Sequence, residues 1–190
     1  MTRGVLIEFG GLPGTGKSTL AARLAEETAA VWLRIDEIEA AMRRNGLTAE
    51  QTGVAAYSVA HDVAANHLRR GLTVIADAVN PVSEARAGWR GLAASVGCDH
   101  LVIETVCPDR DEHRRRVAER VSDLPGWVYP TWTEVQQRAV LYEPRTDDRL
   151  TLDTTRPAEV SYQELMAFVG YRKRCSTCSS TSSTTESTAA

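Results

Sequence analysis

The sequence lacks a basic stripe, an apolar run of membrane-spanning length and a leader signature, and each absence narrows what the chain can be. Its formal net charge is −3, and apart from Arg69-Arg70 and Arg114-Arg115-Arg116 its basic residues are scattered. That counts against a nucleic-acid partner, whose phosphates are normally met by a basic patch. An apolar strand begins near Val5 without the charged, apolar and small-residue succession of a signal peptide, and no segment is long enough to cross a bilayer. The expectation is a cytoplasmic protein with no membrane contact. Cysteine is scarce, at 4 in 190 residues. Cys98 and Cys107 bracket an apolar segment and read as small packed residues. Cys175 and Cys178 have C-x-x-C spacing but no second ligand pair, so they are not read as a metal or redox site. His61, His67, His100 and His113 show no ligand spacing with the cysteines and read as surface or packed side chains. No internal repeat is visible.

What the chain does have is alternation. Apolar, β-branched segments at Val5–Phe9, Val31–Ile35, Thr73–Ala76, Leu101–Val106 and Arg149–Leu152 are separated by helical patterns. The helix candidates lie near 17–29, 37–45, 50–70, 82–96, 109–122, 132–142 and 158–169. This predicts an α/β protein with a parallel sheet covered on both faces. Between Gln51 and Arg70, Val54, Tyr57, Val59, Ala60, Val63, Ala64 and Leu68 give a broad apolar face, which Gly71 ends. Composition changes once, after Tyr171-Arg172-Lys173-Arg174. The expected division is one domain over 1–170 and a disordered, Ser/Thr-rich tail over 171–190, whose low apolar content cannot offset the entropy of ordering it.

The most informative stretch is Gly11-Leu12-Pro13-Gly14-Thr15-Gly16-Lys17-Ser18-Thr19, which fits the phosphate-binding loop G-x-x-x-x-G-K-[ST]. Glycines let successive backbone N–H groups turn toward nucleotide phosphates, which side chains would obstruct. Lys17 supplies a positive charge for the β- and γ-phosphates, and the Ser18 hydroxyl suits Mg²⁺. The loop follows an apolar strand and precedes Leu20, Ala21, Leu24 and Ala25 at helical spacing, so a helix N-terminus adds its dipole to the phosphate site. Gly11, Gly14, Thr15, Gly16, Lys17, Ser18 and Thr19 are therefore the expected nucleotide-binding residues, with ATP and Mg²⁺ as the implied cofactors.

In parallel α/β sheets ligands bind beyond the carboxyl ends of the strands. Three of those ends are acidic, at Asp36, Asp77 and Asp153. A carboxylate there can hold Mg²⁺ or accept a proton from an attacking hydroxyl. Asp36 and Asp77 are favoured for function over helix capping, and Asp153 is equally well explained as a cap. The residues alone do not separate the two roles between Asp36 and Asp77. Arg116 and Arg120, spaced i, i+4, are expected to share a helix face and reach the same phosphates. Arg138 is a weaker candidate, and Arg114 and Arg115 read as a solvated face. Trp127 and Trp132 flank a proline-containing loop and fit either an aromatic wall over a ligand or packing against the helix.

Gly11–Thr19, Leu33-Arg34-Ile35-Asp36-Glu37-Ile38 and Val74-Ile75-Ala76-Asp77-Ala78-Val79-Asn80 together resemble the small P-loop kinases related to adenylate kinase. Within that group the chain is most similar to the predicted metabolite kinases that include chloramphenicol phosphotransferase and the kinase domain of polynucleotide kinase. The likeness extends through Val106-Cys107-Pro108-Asp109, Arg114–Arg120, Pro130-Thr131-Trp132, Tyr142-Glu143-Pro144 and Leu152-Asp153-Thr154, so it covers nearly all of residues 5–170. The resemblance implies a P-loop NTPase three-layer sandwich with a five-stranded parallel sheet of order 2-3-1-4-5 and a small arginine-bearing lid. It further implies Asp36 as the general base, Asp77 in the Mg²⁺ shell, and Arg116 with Arg120 closing over ATP. One departure stands out. Many relatives carry D-x-x-R after the second strand, where this chain has Asp36-Glu37-Ile38-Glu39. An acid there would repel an anionic acceptor, which favours a neutral or cationic one such as an amino sugar, a peptide-like antibiotic or a polyol. Glu39 reads equally as a solvent-facing residue, and Arg43 or Arg44 could replace the missing arginine.

The resulting expectation is an ATP-dependent kinase that moves the γ-phosphoryl group to a hydroxyl of a small molecule, in antibiotic resistance or tailoring, as a monomer or homodimer. Two other readings stay open. A 5′-hydroxyl polynucleotide or RNA-end kinase would use the same machinery, against the acidic balance and Glu39. An ATP-binding switch or chaperone module would hydrolyse nucleotide without a metabolite acceptor, against the position of Asp36.

Overall fold

The computed structural model describes residues 3–179. Five strands form one all-parallel sheet: β1 Val5–Gly10, β2 Val31–Arg34, β3 Thr73–Asp77, β4 Asp99–Val106 and β5 Leu150–Asp153. Their spatial order is β2-β3-β1-β4-β5, the order expected. Among the described residues seven helices connect and flank them: α1 Lys17–Thr28, α2 Ile35–Arg44, α3 Ala49–Arg69, α4 Ser83–Val96, α5 Arg110–Glu119, α6 Trp132–Val140 and α7 Ala158–Ser179.

Side chains alternate across a strand, so β1 supplies two cores at once. Val5, Ile7 and Phe9 face one layer, where they meet Leu20 and Leu24 of α1 and Leu165 and Val169 of α7. Leu6 faces the other, with Ala56, Ala60, Ala64 and Leu68 of α3 and Trp89 of α4. All six β1 residues are buried, as a central strand covered on both faces requires. The alanines of α3 recur every four residues on one helix face, which lets that helix lie close to the sheet. Burying a Leu- or Phe-sized side chain is worth about 1.5–3 kcal/mol, so β1 is the best-anchored strand and a rigid base for the loop that follows it.

Three differences from the expected boundaries bear on function. β2 ends at Arg34 and α2 begins at Ile35, so Asp36 stands in the first turn of a helix rather than at a strand end. α5 ends at Glu119, short of the expected limit at 122. The tail expected from 171 starts as helix, since α7 continues to Ser179 and contains Cys175 and Cys178; residues 180–190 lie outside the described residues. Among the described residues no helix is long and apolar enough to cross a membrane.

Candidate active site

The loop between β1 and α1 is held from several sides. Gly14 and Gly16 have φ of 84° and 85°, left-handed values that side chains disfavour. A Cβ on Gly14 would also stand 2.6 Å from Val117 Cγ2. Thr15 turns away from the cleft: its hydroxyl donates to Leu12 O at 2.7 Å and lies 2.8 Å from Thr105 Oγ1 on β4. His113 Nε2 of α5 donates to Pro13 O at 2.8 Å, and Thr154 Oγ1 donates to Thr15 O at 3.0 Å. These contacts hold the loop in the turned-in shape that suits a phosphate cradle. The sequence reads His113 as a surface or packed side chain and gives Thr154 only within the Leu152-Asp153-Thr154 likeness; no spacing signal points either of them to the loop.

A cleft of about 550 Å³ opens over this loop at the carboxyl ends of β1, β2 and β3. Of the expected site residues, Gly14, Gly16, Lys17, Ser18, Thr19, Asp36, Asp77, Arg116 and Arg120 all line it. Gly11 and Thr15 do not; they border a second hollow on the far side of the loop. Lys17 is buried, and its ammonium donates to Leu12 O at 2.9 Å. Burial lowers its pKa to about 8 even though Asp77 and Asp36 both pull it upward. Asp77 is 3% exposed. Burial pushes its carboxyl up, opposed by Lys17 and by a hydrogen bond from Ser18, and Oδ2 has no hydrogen-bond partner. An ion with residual waters and phosphate ligands would satisfy that oxygen. Mg²⁺ is commonly held this way, through one or two carboxylates rather than a full protein cage. Among the described residues there is no group of three or more His, Cys, Asp or Glu that could hold a metal ion.

The Asp36 side chain lines the cleft, partly exposed and without a side-chain hydrogen bond or close ion pair among the described residues, and its charge acts on Lys17. Glu39, one helical turn along α2, also lines it and is partly buried. Desolvation raises its pKa, while Arg43 lowers it and Asp36 raises it further. Arg43 lines the same wall, with its guanidinium 4.7 Å from the Trp127 ring centroid. Arg44 instead donates to Pro125 O at 3.1 Å. Trp127 faces the cleft, whereas Trp132 packs edge-on against His113, at 5.2 Å between centroids. The two tryptophans thus divide between the two readings open to them.

The arginine pair is a correction. Arg116 and Arg120 both border the cleft, but they do not share a helix face. Arg116 is moored by Glu112 Oε1 at 2.7 Å and by Thr154 Oγ1 and O at 3.0 and 2.8 Å. Arg120 has already left α5, with ψ of 120°, and its guanidinium lies 3.4 Å from the centroid of the Tyr129 ring. A tertiary contact has overridden helix periodicity there. Arg138 is exposed on α6 and borders the cleft as well. Asp153, expected as a helix cap if not functional, instead closes a turn three residues ahead of α7: Oδ1 accepts from Thr155 N and Oγ1 at 2.9 and 2.6 Å.

Residues 6–126 match a family model described as an AAA domain. Among solved structures, the chain is similar to an APS kinase from Mycobacterium tuberculosis in complex with AMPPNP and APS, with a TM-score of 0.65 and 22% identity over 90% of this chain and 99% of that one. It is similar to a gluconokinase from Sinorhizobium meliloti 1021, with a TM-score of 0.70 and 14% identity over 95% and 99%. A sugar kinase from Janibacter sp. HTCC2649 gives a TM-score of 0.64 and 19% identity over 90% and 95%. No curated protein matches the sequence. At such identities the likeness shows the fold.

Proposed function

The chain belongs to the AAA-domain family, and from that premise we propose that it is an ATP-dependent phosphotransferase acting on a hydroxyl of a small molecule in the cytoplasm. One observation carries this reading: the unpaired Asp36 carboxylate borders the same cleft as Lys17 and Asp77. A carboxylate on the acceptor side of the phosphate cradle can take the proton of an attacking hydroxyl, a group that a module which only bound ATP would not need.

In the proposed reaction Lys17 and the loop backbone hold the β- and γ-phosphates. The acceptor oxygen forms a bond to the γ-phosphorus, and its proton passes to the Asp36 carboxylate. The bond to the β–γ bridging oxygen breaks, and its electron pair leaves with ADP. Arg116 and Arg120 offset charge that develops on the transferring oxygens. Ser18 and Asp77 would hold Mg²⁺, which when bound neutralises the β- and γ-oxygens.

Glu39 makes the acceptor wall acidic beside Asp36, with Arg43 and Arg138 as its counter-charges. This supports a neutral or cationic acceptor and, with the resemblance to chloramphenicol phosphotransferase, antibiotic resistance or tailoring as the setting. The test is a mass-spectrometric screen with ATP and Mg²⁺ against pooled antibiotics, amino sugars, polyols, nucleosides and a 5′-hydroxyl oligonucleotide. A phosphoryl increment on one small molecule is expected. Transfer to the oligonucleotide alone would replace the reading with an end-kinase one, and ATP hydrolysis with no product across widening pools would replace it with a switch.

A further inference from the structure

Between α5 and α6, residues 120–131 form an irregular strap along the cleft, and apolar burial does not hold it. Val121 and Val128 are 86% and 85% exposed. The strap is instead tied to the β2–α2 corner by arginines. Arg34, the last residue of β2, has a side chain only 5% exposed. Its Nη1 and Nη2 donate to Asp123 Oδ2 and Oδ1 at 2.6 and 3.2 Å, and Nη2 also donates to the Tyr129 hydroxyl at 2.6 Å. That hydroxyl in turn donates to Asp123 Oδ1 at 2.6 Å. The opposite face of this arrangement carries Arg120, whose guanidinium rests on the Tyr129 ring. At its base Arg34 pairs in register with Asp77 across β2 and β3.

We propose that Arg34, Asp123 and Tyr129 form a clamp that positions Arg120 over the cleft, so that the end of the sheet sets the geometry of a guanidinium the helix has released. This rests on the reading that the chain transfers a phosphoryl group from ATP. A buried guanidinium needs a partner to offset its desolvation, and an apolar side chain at the end of β2 would stabilise the sheet at least as well. The burial of this pair is therefore weak evidence for a stabilising role and is better accounted for by positioning. Arg120 rests on the Tyr129 ring, and the hydroxyl of that ring is held by Arg34 and Asp123. Asp123 and Tyr129 are positioning residues: neither lines the cleft.

The test uses the full chain with Mg²⁺ and ATP, reading ADP formation, with AMPPNP titration and thermal unfolding alongside. Tyr129→Phe keeps the ring but removes both hydroxyl bonds, and Asp123→Asn removes the charge. Each is expected to lower kcat by about tenfold, as small misplacement of a catalytic group does, while KM for ATP stays near wild type; the unfolding midpoint stays near wild type for Tyr129→Phe and falls for Asp123→Asn, which leaves the buried Arg34 without its counter-charge. In an Arg120→Ala background neither should lower kcat further, because the positioned group is gone. Equal losses in both backgrounds, or an unchanged kcat in both single variants, would overturn the clamp while leaving the kinase reading intact. A wild-type chain that neither binds AMPPNP nor turns over ATP would overturn both.

Discussion

Glu8 and Arg145, far apart in sequence, form an ion pair at 3.0 Å with side chains 1% and 0% exposed. Glu8 also meets Asn80 Nδ2 at 3.2 Å and His100 Nε2 at 3.0 Å, and Arg145 reaches Asp147 at 2.6 Å. The guanidinium lies so close to β1 that a Cβ on Gly10 would stand 2.7 Å from its Nη1. This network pins the segment after α6 to the central strand just beneath the phosphate loop.

Breaking such a pair leaves an uncompensated buried charge, which costs about 3–5 kcal/mol. Arg145→Met is therefore expected to lower the unfolding free energy by that order in urea titration. Arg23→Met is the control. Arg23 pairs with Glu159 at 2.7 Å, but its side chain is 40% exposed and the pair stands in solvent, so the loss should be small. Equal effects would mean that burial does not set the strength of the Glu8 network.

Nucleotide affinity should depend on pH through Lys17. In the free protein its pKa is about 8, lowered by burial. Phosphates favour the charged form, so the bound-state pKa is higher and a proton is taken up on binding at alkaline pH. AMPPNP affinity should hold below pH 8 and fall by up to about tenfold per unit above it. Calorimetric titration across that range in buffers of different ionisation enthalpy checks both the slope and the proton uptake. Lys17→Ala should abolish transfer and remove the alkaline limb, and a flat profile in the wild type would place the ammonium away from the phosphates.

Asp36 and Asp77 sit in contrasting environments, and that contrast separates their proposed roles. Asp36 is partly exposed and unpaired, whereas Asp77 is buried beside Lys17 and Ser18. Asp36→Asn should cost about 10²–10⁴ in kcat with AMPPNP binding unchanged, the range expected for loss of a general base. Asp77→Asn should instead raise the Mg²⁺ concentration needed for half-maximal turnover. If the two phenotypes were reversed, the base would be Asp77.

Much of this architecture can be read in the sequence because its signals are local. A glycine loop between an apolar strand and a helical pattern needs no distant partner to be recognised, and the acidic end of β3 at Asp77 follows from the same pattern, whereas Asp36 falls in the first turn of α2. The strand order came from resemblance, since spacing alone does not order parallel strands. What stayed hidden is tertiary. Arg120 reads as helical until Tyr129 is seen beneath it, and Arg34 reads as one more strand residue until Asp123 meets it. Glu8 is the exception that could have been found: a lone carboxylate inside the apolar run Val5–Phe9 demands a buried partner.

The acceptor wall offers the sharpest test of substrate charge. Glu39 and Asp36 present two carboxylates on one face of α2, and Arg43 is drawn aside onto Trp127. Desolvation already raises the Glu39 pKa, so an incoming anion would add repulsion where water cannot screen it, while an ammonium would relieve the desolvated charge. Glu39→Gln keeps the shape and removes the charge. For a cationic acceptor it should raise the acceptor KM by about tenfold or more, the loss of one charge-assisted hydrogen bond, with kcat and the KM for ATP little changed. For a neutral polyol the same substitution should leave KM within about twofold. A lower KM would point to an anionic acceptor, held by Arg43 and Arg138 despite Glu39.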